Sequence, residues 1–240
     1  MIQIENLYKR YGKQEVLKGI DLNFGKNECI ALIGPNGCGK TTLIKSILGM
    51  VLPDEGNISV LGQNVKNNVD YRANIGYMPQ IGRYPDHMSI GQIFDMIIDI
   101  RKSDQALDYE LYDAFQLKSM LHKSMHSLSG GTTQKVSAAL AYLFNPSIYI
   151  LDEPTAGLDP LASEILKNKM MQTKSDGKLS LITSHLLSDL DDLVTSIVFM
   201  NEGKVFFHKS TEELRAYTSE QKISKAIAKL LKSEFHEQNN

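Results

Sequence analysis

Apolar and polar residues change their rhythm several times along the chain, and each change marks an element. Ile2 and Ile4 alternate with polar neighbours, and a second strand-like run spans Leu17 to Phe24. Glu28 to Ile33 is a compact apolar strand that runs directly into a glycine-rich stretch, Gly34 to Gly39. The period then lengthens: Leu43, Ile44, Ile47 and Leu48 share one helical face within Thr41 to Met50. Pro53-Asp54-Glu55-Gly56 reads as a turn, and Asn57 to Leu61 as another strand. Strand character is lost between Ser89 and Asn145, where Ile90 to Ile100 and Tyr109 to Leu117 are helical. It returns at Ile148 to Leu151 and at Leu179 to Thr183, each followed by a helical pattern. Ile197 to Met200 and Val205 to Phe207 flank Asn201-Glu202-Gly203-Lys204 as a closing hairpin. Residues 219–233 predict an amphipathic tail helix, and the last few residues read as disordered. The sum is an α/β chain with a helical lobe inserted into a sheet domain.

Composition narrows the class. The 240 residues are 42% hydrophobic and 22% charged, ordinary for a globular protein. A net charge of −2 gives no electrostatic reason to expect nucleic acid as a partner. No apolar run reaches the roughly 18 to 20 residues needed to span a bilayer. Met1 to Arg10 lacks the apolar core of a signal peptide. Cys29 before the glycine-rich stretch and Cys38 within it sit too close to it to suggest a disulfide framework, which points to a reducing, cytoplasmic setting.

The candidate chemistry begins at Gly34-Pro-Asn36-Gly37-Cys-Gly39-Lys40-Thr41, a phosphate-loop pattern placed between a strand and a helix, as the pattern requires. Glycines let backbone N–H groups converge on phosphate oxygens, and the following helix presents its positive end. Lys40 has the reach for the β- and γ-phosphates, and the Thr41 hydroxyl is a Mg²⁺ ligand, with Thr42 beside it. Ile148-Tyr-Ile-Leu-Asp152-Glu153 delivers two carboxylates at the end of an apolar strand. Asp152 would hold Mg²⁺ and Glu153 would polarise an attacking water. Together the two motifs specify a nucleoside triphosphatase. Leu128-Ser129-Gly130-Gly131 opens a further helix, so the chain carries a second anion-binding arrangement.

On these residues the chain resembles the nucleotide-binding domains of ABC transporters over nearly its whole length. The resemblance implies a P-loop NTPase (RecA-like) core with an N-terminal antiparallel β subdomain and an inserted α-helical subdomain. It makes 1–240 a single ABC ATPase domain: 1–88 and 141–215 form the core, 89–140 the helical subdomain and 216–240 a C-terminal helix and tail. Leu128 to Gly131 would be the signature motif, closing on ATP held by the phosphate loop of a second, identical subunit. Gln80, after Met78-Pro79, matches the glutamine loop that touches Mg²⁺ and reports to the membrane partner. Ala156-Gly157-Leu158-Asp159 matches the loop linking the two ATP sites, with Asp159 counted among the ATP-binding residues. His185 matches the switch histidine at the γ-phosphate, and Tyr11 stands where an aromatic ring meets adenine. The cofactors implied are ATP and Mg²⁺. One departure stands out: Thr132 follows Leu-Ser-Gly-Gly where the family usually has glutamine.

The resemblance further implies a separate integral membrane permease as partner, a second copy of the ATPase, no nucleic acid, and a cytoplasmic location on the inner face of the membrane. The alternative is a soluble ABC ATPase acting on ribosomes or DNA; the tandem domains and long coiled coils of such proteins are missing here. The stretch Gly76 to Ile81, with Tyr84-Pro85 and Met88-Ser89, is similar to exporter-type subunits. It is also similar to the ATPase associated with nitrous-oxide reductase maturation, a copper-enzyme assembly system. His122-Lys-Ser-Met-His126 reads as a solvated loop with a core methionine rather than as a copper site.

Overall fold

A computed structural model describes residues 1–102, 106–184 and 191–237. These divide into two compact units, Met1–Asn67 with Thr183–Asn240, and Asn68–Ile182. Residues 68–88 and 141–182 therefore lie with the helical stretch rather than with the N-terminal sheet.

In the first unit, β1 (Ile2–Tyr11), β2 (Gln14–Phe24), β4 (Glu55–Val60) and β5 (Gln63–Asn64) form an antiparallel sheet in the order β2-β1-β4-β5. Its register follows from the alternation: Ile2 faces Phe24 and Val60, Ile4 faces Leu22 and Ile58, and all six are buried. β3 (Cys29–Ile33) is buried at every position, as a strand covered on both faces must be, and runs parallel to β9 (Ser196–Asn201). β9 turns back antiparallel into β10 (Lys204–Ser210). The turn takes φ of 47° at Glu202 and 82° at Gly203, the positive pair a two-residue hairpin needs. α1 (Lys40–Ile47) follows β3, with Leu43, Ile44 and Ile47 buried. α6 (Thr211–Thr218) and α7 (Ile223–Glu237) pack together and bury Leu214, Ile223, Ala226 and Leu230. Cys29 and Cys38 are both buried and form no disulfide.

In the second unit, β6 (Ile75–Met78) and β7 (Ile148–Asp152) are parallel, with β8 (Leu179–Thr183) beyond β7. Between β6 and β7 come α2 (Ile90–Arg101), α3 (Glu110–Ala114) and α4 (Gly130–Tyr142). A reciprocal cap between Ser89 and Gln92 starts α2. α3 is shorter than the expected Tyr109–Leu117 helix because Gln116 turns left-handed, at φ 54°, and a short tight-helical turn follows. α4 lies against β6 and α3, and the rings of Tyr142 and Tyr149 stack at 4.3 Å between centroids. α5 (Pro160–Ser175) carries Lys169, only 6% exposed, whose ammonium meets Asp108 at 2.7 Å and Glu110 at 2.6 Å and so ties α5 to α3. Among the described residues no helix is long and apolar enough to cross a membrane. The architecture is α/β, with the N-terminal antiparallel sheet and the helical insertion that the sequence implied.

Candidate nucleotide site

The phosphate loop is shaped by backbone packing. Gly34 adopts φ 149°, and a Cβ there would stand 2.1 Å from the Met200 carbonyl oxygen, so only glycine fits. Gly203 N–H donates to the Cys38 carbonyl at 3.1 Å, and Lys18 N–H donates to Gly203 at 2.8 Å, fixing the β9–β10 turn beneath the loop. Asn36 and Gly37 are exposed at its tip. Gly39, left-handed at φ 109°, is the N-cap of α1 and offers no side chain to its first N–H groups. No acidic residue occupies that first turn, so those donors and the helix dipole remain suited to an anion. Lys40 folds back on the loop, donating to Gly34 O at 2.7 Å and Pro35 O at 3.0 Å. Thr41 is exposed and Thr42 is half-buried. Tyr11, 51% exposed, ends β1 with the Lys9 ammonium 5.5 Å from its ring centroid. An exposed ring at that place suits stacking on a base.

In the second unit, β7 ends at Asp152, which is 9% exposed. Glu153 follows in the left-handed region at φ 51°, a conformation that costs a non-glycine residue about 1 kcal/mol or more. Its carbonyl accepts from Ala156 N–H at 3.1 Å, and the chain turns through Gly157 into α5. Asp159 caps that helix: one carboxylate oxygen accepts from Ala162 N–H at 2.9 Å, the other from the Lys135 ammonium at 2.6 Å. Lys135 and the cap hold the Asp159 carboxyl below the usual carboxylate range. With both oxygens engaged inside its own subunit, Asp159 sets the shape of the loop.

α4 opens at Ser129, whose hydroxyl accepts from Thr132 N–H at 3.3 Å and pairs with the Thr132 hydroxyl at 2.9 Å. Thr132 thus buttresses the capping Ser129 where the family usually has glutamine. Gly130 stands open to solvent, while a Cβ at Gly131 would lie 2.7 Å from the Gly157 carbonyl oxygen. The close approach of α4 to the 157–159 loop requires that glycine. Gln80 is exposed just after β6. His122 and His126 are exposed and Met125 is buried, as a solvated loop over the core requires. His185 lies outside the described residues.

The sequence profile of the ABC transporter family matches residues 17–156, from β2 through the loop after β7. This chain belongs to the ABC transporter family. It is 31% identical over 208 residues to the Nod factor export ATP-binding protein I of Burkholderia orbicola (strain AU 1054), covering 85% of this chain and 68% of that protein. It is likewise 31% identical over 220 residues to the uncharacterized ABC transporter ATP-binding protein YxlF of Bacillus subtilis (strain 168), covering 90% of this chain and 72% of that one. A solved ATP-binding subunit of an ABC transporter shares the fold with a TM-score of 0.88 at 28% identity, over 96% of this chain and 99% of that one. A dimeric ATP-binding cassette in a post-hydrolysis state with ADP and Pi shares it with a TM-score of 0.77 at 23% identity, over 88% and 98%. The ABC subunit is an ATPase whose hydrolysis is coupled to transport.

Proposed function

We propose that this ABC subunit works as a head-to-tail homodimer that binds two ATP and drives a separate integral membrane permease, in the direction of export. The observation that carries the reading is the pair of helix N-termini prepared for anions, α1 behind Gly34–Gly39 and α4 behind Ser129. Two such N-termini per chain suit a dimer in which each triphosphate is met by one from each copy. The export relative named above supports the direction.

In this reading Lys40, Thr42 and the loop N–H groups of Gly34, Asn36, Gly37 and Gly39 hold the phosphates, and Tyr11 stacks on adenine. Ser129, Gly130 and Gly131 close on the γ-phosphate of the partner's nucleotide. Thr41, Asp152 and Gln80 would hold Mg²⁺; a hydroxyl, a carboxylate and an amide oxygen are the hard donors that ion prefers. When bound, the ion neutralises charge developing on the phosphates. Glu153 polarises the attacking water, its strained backbone fixing where the carboxylate starts, and His185 orients the γ-phosphate. Export within copper-enzyme maturation is the narrower form of this reading, resting on the Gly76–Ser89 stretch. Among the described residues no group of three or more His, Cys, Asp or Glu side chains could hold a metal.

The test is to tag the chain in its host, solubilise membranes gently and identify what co-purifies. The account expects a polytopic membrane protein, with copper-enzyme assembly factors beside it if the narrower form holds. Recovery only from the soluble fraction with ribosomes or DNA-associated proteins would overturn the transport reading and leave the ATPase intact.

A further inference from the structure

The glutamine loop is bound to α4 at two points by buried side chains. Gln134, 6% exposed, donates from its amide nitrogen to the Gln80 carbonyl oxygen at 3.2 Å. Three residues on, Ser137, also buried, shares a 2.9 Å hydroxyl–hydroxyl bond with Tyr84, the last residue of the 80–84 stretch. Between the two points Gly82 lies so close that a Cβ would meet Ser137 Oγ at 2.4 Å. Positions 134 and 137 share one helical face. Positions 131 and 135, on a neighbouring face, meet the loop that contains Gly157 and Asp159. α4 also begins at Ser129.

We propose that Gln134 and Ser137 are positioning residues for Gln80: with Tyr84 they strap the 80–84 loop to the helix that carries Ser129, so that the two move as one body. The main chain at Gln80 is then held from within the unit, which leaves its exposed side chain free to face a ligand. This rests on the reading of Gln80 as a Mg²⁺-facing residue. The strap is long-range in sequence, 54 residues between Gln134 and Gln80 and 53 between Ser137 and Tyr84, so its loss would free the loop without cutting a secondary-structure bond.

The experiment measures ATPase rate against free Mg²⁺ in the purified full chain, with binding of a fluorescent ATP analogue in EDTA as the control. The variants are Gln80→Ala, Gln134→Met, Tyr84→Phe and Ser137→Ala, together with the Tyr84→Phe/Ser137→Ala pair. Gln80→Ala is expected to raise the Mg²⁺ concentration for half-maximal rate. Tyr84→Phe and Ser137→Ala should each raise it about threefold, the scale of one neutral hydrogen bond. The pair should go no further than either single change, because both remove the same bond. Gln134→Met should add to them, and analogue binding in EDTA should stay unmoved throughout. Tyr84→Phe deletes one oxygen and keeps the ring, so it tests the strap even if Ser137→Ala or Gln134→Met fails to fold. An unmoved Mg²⁺ dependence in Tyr84→Phe and Ser137→Ala, while Gln80→Ala shifts it, overturns the strap alone; so do shifts that simply add in the pair. No shift in Gln80→Ala overturns the reading of Gln80 and the positioning role with it.

Discussion

The phosphate loop and the start of α4 both offer a helix N-terminus suited to an anion, yet they are held in place by different means. Around Gly34 the shape is set by main chain: the Met200 carbonyl leaves no room for a side chain, and the β9–β10 turn bonds the loop through Gly203 and Cys38. Around α4 it is set by side chains: Ser129 with Thr132, Lys135 with Asp159, Gln134 with the Gln80 main chain, Ser137 with Tyr84. A backbone-built site has one solution, while a side-chain-built site can reach the same geometry with different residues. Thr132 stands in the second kind of region. Its hydroxyl pairs with that of the capping Ser129 at a position where the family usually carries glutamine.

The sharpest way to break this contrast is Gly34→Ala. The added methyl has no space, and ATP binding should fall at least about 100-fold, near 3 kcal/mol; titration of a variant with native circular dichroism checks it. Gly131→Ala tests the exception inside the second region, since its Cβ would press on the Gly157 carbonyl oxygen. Turnover should fall about tenfold while the variant's own phosphate loop keeps its ATP affinity, because in the proposed dimer the altered contact serves the partner's nucleotide. A fall in affinity as large as that of Gly34→Ala would erase the distinction. Thr132→Gln should change turnover by less than tenfold, a barrier change of about 1.4 kcal/mol, since Ser129 still accepts from the main-chain N–H of residue 132.

The smallest effect belongs to the exposed Lys135–Asp159 pair. The Asp159 carboxyl is held down chiefly by Lys135, so its contribution is complete above the ordinary carboxylate pKa and is lost as pH falls through the lowered value. Asp159→Ala should abolish that acid dependence and lower the urea midpoint more than Lys135→Ala, because Asp159 also caps α5. Equal midpoints would show that the cap contributes nothing.

Most of the fold was legible because long runs keep one period: β2, β3, α1, α2 and the β9–β10 hairpin fall within a few residues of where the apolar pattern put them. β6 was missed because Ile75-Gly-Tyr-Met is too short for any period to declare itself. α6 was missed although Ser210-Thr-Glu-Glu213 carries a capping-box signal, which the structure realises in both directions. The end of α3 at Ala114 could not be read, since nothing in the residue type of Gln116 marks its left-handed turn. Within the site, motif order placed Gly34–Thr41, Asp152 and Ser129 because each stands where a strand meets a loop or a helix begins. The engagement of Asp159 with Lys135, and of Gln134 with Gln80, links residues 24 and 54 positions apart, and no local pattern records such a pairing.

The central claim is that two copies close around ATP and that Glu153 drives its hydrolysis. The most direct test compares wild type and Glu153→Gln by light scattering as Mg-ATP is added, with phosphate release measured in parallel. The account predicts that Glu153→Gln turns over roughly 10²-fold more slowly or worse and accumulates as an ATP-bound dimer, while the wild type dimerises only transiently. A Glu153→Gln variant that hydrolyses at near the wild-type rate, or stays monomeric at saturating Mg-ATP, would contradict it.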